Sequence, residues 1–163
     1  MDEVNLRRYS NTLAVSGAGV IAFGLWSIVK TILLSVMHPE VVGIIPDDDS
    51  LLPRGVYIAM MISFLVLLLG IDIGFRIYVG VSARAEGNGK KKHITYLVFA
   101  VILLILSMLS LWTDLIFNDY DSILDFLAAI LVEITSMAAV IELIYSAVRV
   151  RRLRRKLESE ATA

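Results

Sequence analysis

Four long apolar runs dominate this 163-residue chain: Leu13–Met37, Gly55–Val81, Ile94–Phe117 and Ile123–Val148, each of 24 to 27 residues. At 1.5 Å per residue, about 20 helical residues cross a hydrocarbon layer of about 30 Å, so each run is long enough to span it with some tilt. Backbone polar groups have no water to pair with inside lipid, which leaves the helix as the form open to a lone apolar run. The expected fold is therefore an all-α integral membrane four-helix bundle, read as up-down-up-down and as a single transmembrane domain over residues 1–163. The first run follows Arg7 and Arg8 as a signal peptide would. Its apolar stretch exceeds the roughly 7–15 residues of a signal h-region and no small-residue cleavage pattern lies near Met37–Val41, so it reads as a retained span.

Composition agrees. Hydrophobic residues make up 58% of the chain and charged ones 19%, where soluble domains average about 45–50% and about 25%. A soluble domain of this size cannot hide that much apolar side chain. The absence of cysteine excludes disulfide scaffolds, thiolate metal sites and cysteine nucleophiles, and two histidines, His38 and His93, are too few for a histidine metal cluster. HExxH and GxSxG patterns are also missing, so no cofactor, no metal and no enzymatic activity are expected.

The net charge of −1 conceals a segregation of sign. Arg7 and Arg8 precede the first span, Arg84 and Lys90–Lys92 lie between the second and third, and Arg149, Arg151, Arg152, Arg154, Arg155 and Lys156 follow the fourth. The other two loops hold Arg54 among Glu40, Asp47, Asp48, Asp49, Asp119 and Asp121. Basic loops stay inside, so both termini are expected to be cytoplasmic, in the plasma membrane. Tyrosines fit those limits: Tyr9, Tyr78, Tyr96 and Tyr145 fall near the inner boundary, Tyr57, Tyr120 and Trp112 near the outer one.

The longest loop, His38–Pro53, is broken by Pro39, Pro46 and Pro53. Asp47–Asp49 reads as a solvated loop with a helix cap at Asp49 or Ser50, a divalent-cation site being the alternative. The Ser82–His93 loop reads as flexible, and Asn118–Ser122 as a tight turn. Asp47-x-Asp49-Ser50-Leu51-Leu52 has an echo in Asp119-x-Asp121-Ser122-Ile123-Leu124, and Leu25-Trp26-Ser27 in Leu111-Trp112-Thr113, but the two intervals do not match, and no duplication is inferred.

Small and polar residues mark the faces on which membrane helices pack. The first span offers Ala14, Ala18 and Ala22, with Gly17 and Gly24; the second a GxxxG at Gly70 and Gly74. The third offers Ala100, Ser107 and Asp114, and the fourth Ala129, Glu133, Ser136 and Val140. Ionisable residues within spans are costly and mark functional or structural pairs. Helix rise sorts them into an outer layer, Lys30 with Asp114 or Glu133, and an inner layer, Asp72, Arg76 and Glu142. Glu133 shares its face with small residues and is the better interior candidate.

Residues 149–163 form a basic cytoplasmic tail. Val150, Leu153 and Leu157 recur at helical spacing beneath six basic residues, which reads as a topology anchor or as an interfacial helix on anionic headgroups, and the last residues are expected to fray. The expected role is a non-catalytic subunit, assembly factor or regulator acting through helix–helix contacts. Its partners would be the bilayer itself and a second copy or another membrane protein, with no nucleic acid. The alternative is a small oligomeric carrier or channel using Glu133 with Lys30 and Asp72 with Arg76.

Overall fold

In the computed structural model of the chain, residues 2–37, 53–90, 93–117 and 123–162 are described. They form four α-helices, α1 (Asp2–Met37), α2 (Arg54–Gly87), α3 (Thr95–Phe117) and α4 (Ile123–Thr162), and no strand among these residues. All four are long and apolar enough to cross a membrane, which marks the chain as a small integral membrane protein.

Three helices run well past the apolar stretches. At 1.5 Å per residue, α1, α2 and α4, with 36, 34 and 40 residues, measure about 54, 51 and 60 Å. The extra turns are residues 2–12 of α1, 82–87 of α2 and 149–162 of α4. The basic tail is thus a direct continuation of α4, and the expected fraying of Glu158–Ala163 is not seen as far as Thr162.

The start of α2 is built on Pro53, whose carbonyl accepts the amides of Val56 and Tyr57 at 2.9 and 3.1 Å. Asp47–Asp49 and Ser50 lie outside the described residues, as does the Asn118–Ser122 turn. The other end of α2 closes in a defined cap where the sequence suggested a flexible loop. Lys90 N–H donates to the Ala85 carbonyl at 3.0 Å and Gly89 N–H to that of Glu86 at 3.1 Å. This is the paired bonding of a Schellman motif, and Gly89 supplies the required positive φ of 93°.

The chain divides into two compact units. The first comprises Met1–Ile21 and Phe75–Ala163 and contains the hydrophobic core. Each helix contributes one stripe at helical period: Leu13 and Val20 from α1, Val79 and Ala83 from α2, Tyr96, Leu97, Ala100 and Leu103 from α3, and Val140, Leu143, Ala147 and Val150 from α4. Ser16, Ser82, Ser107, Ser136 and Ser146 are buried on the same stripes, where small side chains let the helices approach. α1 and α2 approach closely at their glycines. A β-carbon at Gly17 would stand 2.7 Å from the Gly80 carbonyl oxygen, and one at Gly80 2.5 Å from that of Gly17. One at Gly87 would meet the Ser10 carbonyl at 2.6 Å and the Ala14 side chain at 3.1 Å.

The second unit is Ala22–Gly74, the later part of α1 and the earlier part of α2. Leu25, Trp26, Val29, Ile32 and Leu33 of α1 and Phe64, Val66, Leu67 and Leu68 of α2 are exposed. Exposed apolar side chains over this length are what a lipid solvent requires. Hydroxyls on such surfaces fold back onto their own helices: Ser63 Oγ donates to the Ala59 carbonyl at 2.8 Å and Thr31 Oγ1 to that of Ser27 at 2.9 Å. Thr113 and Thr135 do the same toward Leu109 and Leu131 in α3 and α4. Each hydroxyl proton is thereby satisfied without a partner helix.

Candidate functional site

Within the first unit, Glu86 gathers several polar contacts from α4. This residue continues the buried stripe of α2, seven positions after Val79 and four after Ser82, in the last turn of the helix. Only 2% of its surface is exposed. Both carboxylate oxygens accept from one guanidinium on α4: Arg151 Nε donates to Oε1 at 2.7 Å and Arg151 Nη2 to Oε2 at 2.8 Å. The fork geometry of arginine matches the carboxylate, and two parallel charge-assisted bonds form. Arg151 also donates to the His93 carbonyl at 3.2 Å and lies over the buried Tyr96 ring, 5.5 Å from its centroid. The Glu86 backbone carbonyl accepts Arg154 at 2.7 Å in addition to Gly89. Glu86 and Arg151 together therefore tie the cap of α2, the start of α3 and the tail of α4.

This clamp redistributes the basic tail. Arg151 and Arg154 are engaged with Glu86, Lys156 pairs with Asp2 of α1, and Arg149 donates to the Tyr145 hydroxyl at 3.2 Å. Tyr145 in turn meets the Tyr9 ring edge to face, 6.0 Å between centroids. Arg152 and Arg155 are exposed and have no hydrogen bond or ion pair among the described residues. Sequence reasoning grouped all six as headgroup contacts and did not include Glu86, which lies past the expected end of the second span at Val81. Extending the Val79, Ser82, Ala83 stripe by one turn would have found it.

Of the charges within the spans, Arg76 is half-buried and donates to Ser136 Oγ of α4 at 3.2 Å. Glu142 is exposed and accepts from Ser16 Oγ of α1 at 3.1 Å, at the edge of a groove of about 280 Å³ that Arg8, Asn11 and Thr12 also line. Lys30, Asp72 and Glu133 are half-buried, and each is engaged in a polar interaction. The side chains of Asp114 and Ala129 lie outside the described residues.

The small-residue faces are placed as follows. Ser107 and Ser136 are buried. On α1 the buried face carries Leu13, Ser16, Gly17 and Val20; Ala14 is half-buried beside Gly87, and Ala18 and Ala22 are exposed. Gly70 and Gly74 are exposed, and a β-carbon at either would meet nothing within 4 Å. Compared with protein-family models, with curated proteins and with solved structures, the chain matches none.

Proposed function

We propose that this membrane protein acts without catalysis, as a subunit, assembly factor or regulator, through helix–helix contacts in the bilayer. The observation that carries this reading is the open face at Gly70 and Gly74. Lipid tails supply no hydrophobic drive between helices, so glycines four apart are useful where another backbone comes close. On the same helix, Gly80 and Gly87 already have α1 against them, whereas a β-carbon at Gly70 or Gly74 would meet nothing within 4 Å. The partner on this reading is a transmembrane helix with its own small-residue face, from a second copy or from another membrane protein.

The orientation we propose places both termini in the cytoplasm of a plasma-membrane protein, with the basic ends of α1, α2 and α4 on the inner side. The order of contacts supports an up-down arrangement: Ser10 meets Gly87 whereas Gly17 meets Gly80, so numbering runs in opposite senses along the two helices. The test is a Gly70→Leu, Gly74→Leu double variant extracted from native membranes in mild detergent. The complex seen by native electrophoresis or cross-linking is expected to be lost while helicity and unfolding temperature are kept. Retention of the complex by the variant would end this reading.

A further inference from the structure

We infer that a groove between the start of α3 and the tail of α4 is a binding site for one anionic phospholipid. The groove has a volume of about 320 Å³ and is lined by Ile94, Leu97, Val148, Arg151, Arg152 and Arg155. Its α4 residues stand at positions 0, 3, 4 and 7 along the chain, a single face of one helix. That face changes character along its length: Val148, with Ile94 and Leu97, gives the groove an apolar lining, and the three arginines follow one turn later on α4. Ile94 and Val148 are exposed although both are large and apolar.

The arginines are not equivalent. Arg151 is neutralised by the bidentate bond to Glu86. Arg152 and Arg155 bring two positive charges to the rim, and neither makes a hydrogen bond or ion pair among the described residues. Two exposed guanidiniums with donors to spare present paired N–H groups to a phosphate, which arginine binds in a bidentate way. The positive end of the α3 dipole, at Thr95, adds to the same field.

A soluble phosphate would use the rim and leave the apolar lining exposed. A phospholipid uses both, its phosphate on Arg152 and Arg155 and the first segment of an acyl chain along Ile94, Leu97 and Val148. A net negative headgroup is favoured over a zwitterionic one, whose ammonium would sit in a field of two arginines. The site rests on the chain being embedded in lipid and is independent of the Gly70/Gly74 contact.

Native mass spectrometry of the detergent-purified chain, titrated with phosphatidylglycerol or phosphatidylcholine, tests this. The wild-type chain is expected to retain one phosphatidylglycerol at least tenfold more strongly than phosphatidylcholine. An Arg152→Ala, Arg155→Ala double variant is expected to lose that preference. Arg149→Ala, which removes a charge outside the groove, is expected to keep it. Val148→Asp, which places an acid in the apolar lining, is expected to weaken retention with the helix content unchanged. Millimolar inorganic phosphate is expected to leave the lipid bound. Equal retention of the two lipids, an unaffected double variant, or full displacement by phosphate would overturn the assignment. The Gly70→Leu, Gly74→Leu variant is expected to bind the lipid normally, so failure of either reading is visible without the other.

Discussion

Glu86 and Arg151, 65 positions apart, meet through two hydrogen bonds of 2.7 and 2.8 Å, but they are unequally buried. The Glu86 side chain is 3% exposed and that of Arg151 21%. Arg151 can therefore regain water when its partner is removed, and Glu86 cannot. Removing one member of a buried pair typically costs about 3–5 kcal/mol because a charge is left without compensation. Arg151→Ala is expected in that range, and Glu86→Gln, which keeps shape, below it. Arg151→Lys is expected to recover part of the loss, since an ammonium cannot reproduce the fork. Chemical unfolding in detergent measures all three. An Arg151→Ala variant no less stable than Glu86→Gln would show that burial does not govern this pair.

The α1–α2 crossing separates two classes of glycine. Gly80→Ala places a methyl group 2.5 Å from both the Gly17 carbonyl oxygen and Ile21, so the helices must part. Overpacking of this kind costs about 1–3 kcal/mol. Gly70→Ala and Gly74→Ala meet open space, and their stability is expected to stay at or slightly above that of the parent, since alanine favours the helix over glycine. Thermal unfolding of the purified chain distinguishes the classes. Equal destabilisation by Gly80→Ala and Gly74→Ala would contradict the crossing.

The cap of α2 depends on one backbone conformation. Gly89 has φ of 93° and a β-carbon added there would meet nothing within 4 Å, so the cost of a side chain is conformational and not steric crowding by neighbours. Gly89→Ala is expected to lose about 1 kcal/mol, and Gly89→Asn less, because asparagine enters the left-handed region more readily. Because Glu86 accepts the Gly89 amide, the loss should shrink in an Arg151→Ala background, where the end of α2 is already loosened. A double-mutant cycle reads that coupling. Strictly additive losses would separate the cap from the clamp.

Orientation can be read with single cysteines, since the chain has none of its own. With both termini cytoplasmic, Ala161→Cys in intact cells is expected to resist a membrane-impermeant maleimide until the cells are opened. Asp48→Cys, in the acidic loop, is expected to react from outside. The reverse pattern would invert the proposed topology.

How much of this was legible beforehand follows from what lipid does to a sequence. The apolar runs announce four helices because any chain crossing hydrocarbon must satisfy its own backbone. The second and third runs contain few charges, so core-facing and lipid-facing positions are equally apolar there and periodicity is nearly silent. Val79, buried, and Val81, exposed, are the same residue type two positions apart. The alanine spacing of α1 suggested one face, while the neighbouring Leu13, Ser16, Gly17 and Val20 are the ones buried, because close approach to Gly80 requires Gly17.

By itself, then, the sequence determined the solvent of this protein, the four long helices among the described residues and the separation of its charges, all of which depend on local composition and length. Tertiary structure alone decided which charges meet. Glu86 looks like a loop residue until α2 continues past Val81, and the six basic residues of the tail look alike until Arg151 and Arg154 turn to Glu86, Lys156 to Asp2 and Arg149 to Tyr145. Most of these are contacts between distant segments, whose energy depends on geometry across helices. For that reason Arg152 and Arg155 emerge as the pair facing outward only once the others are engaged.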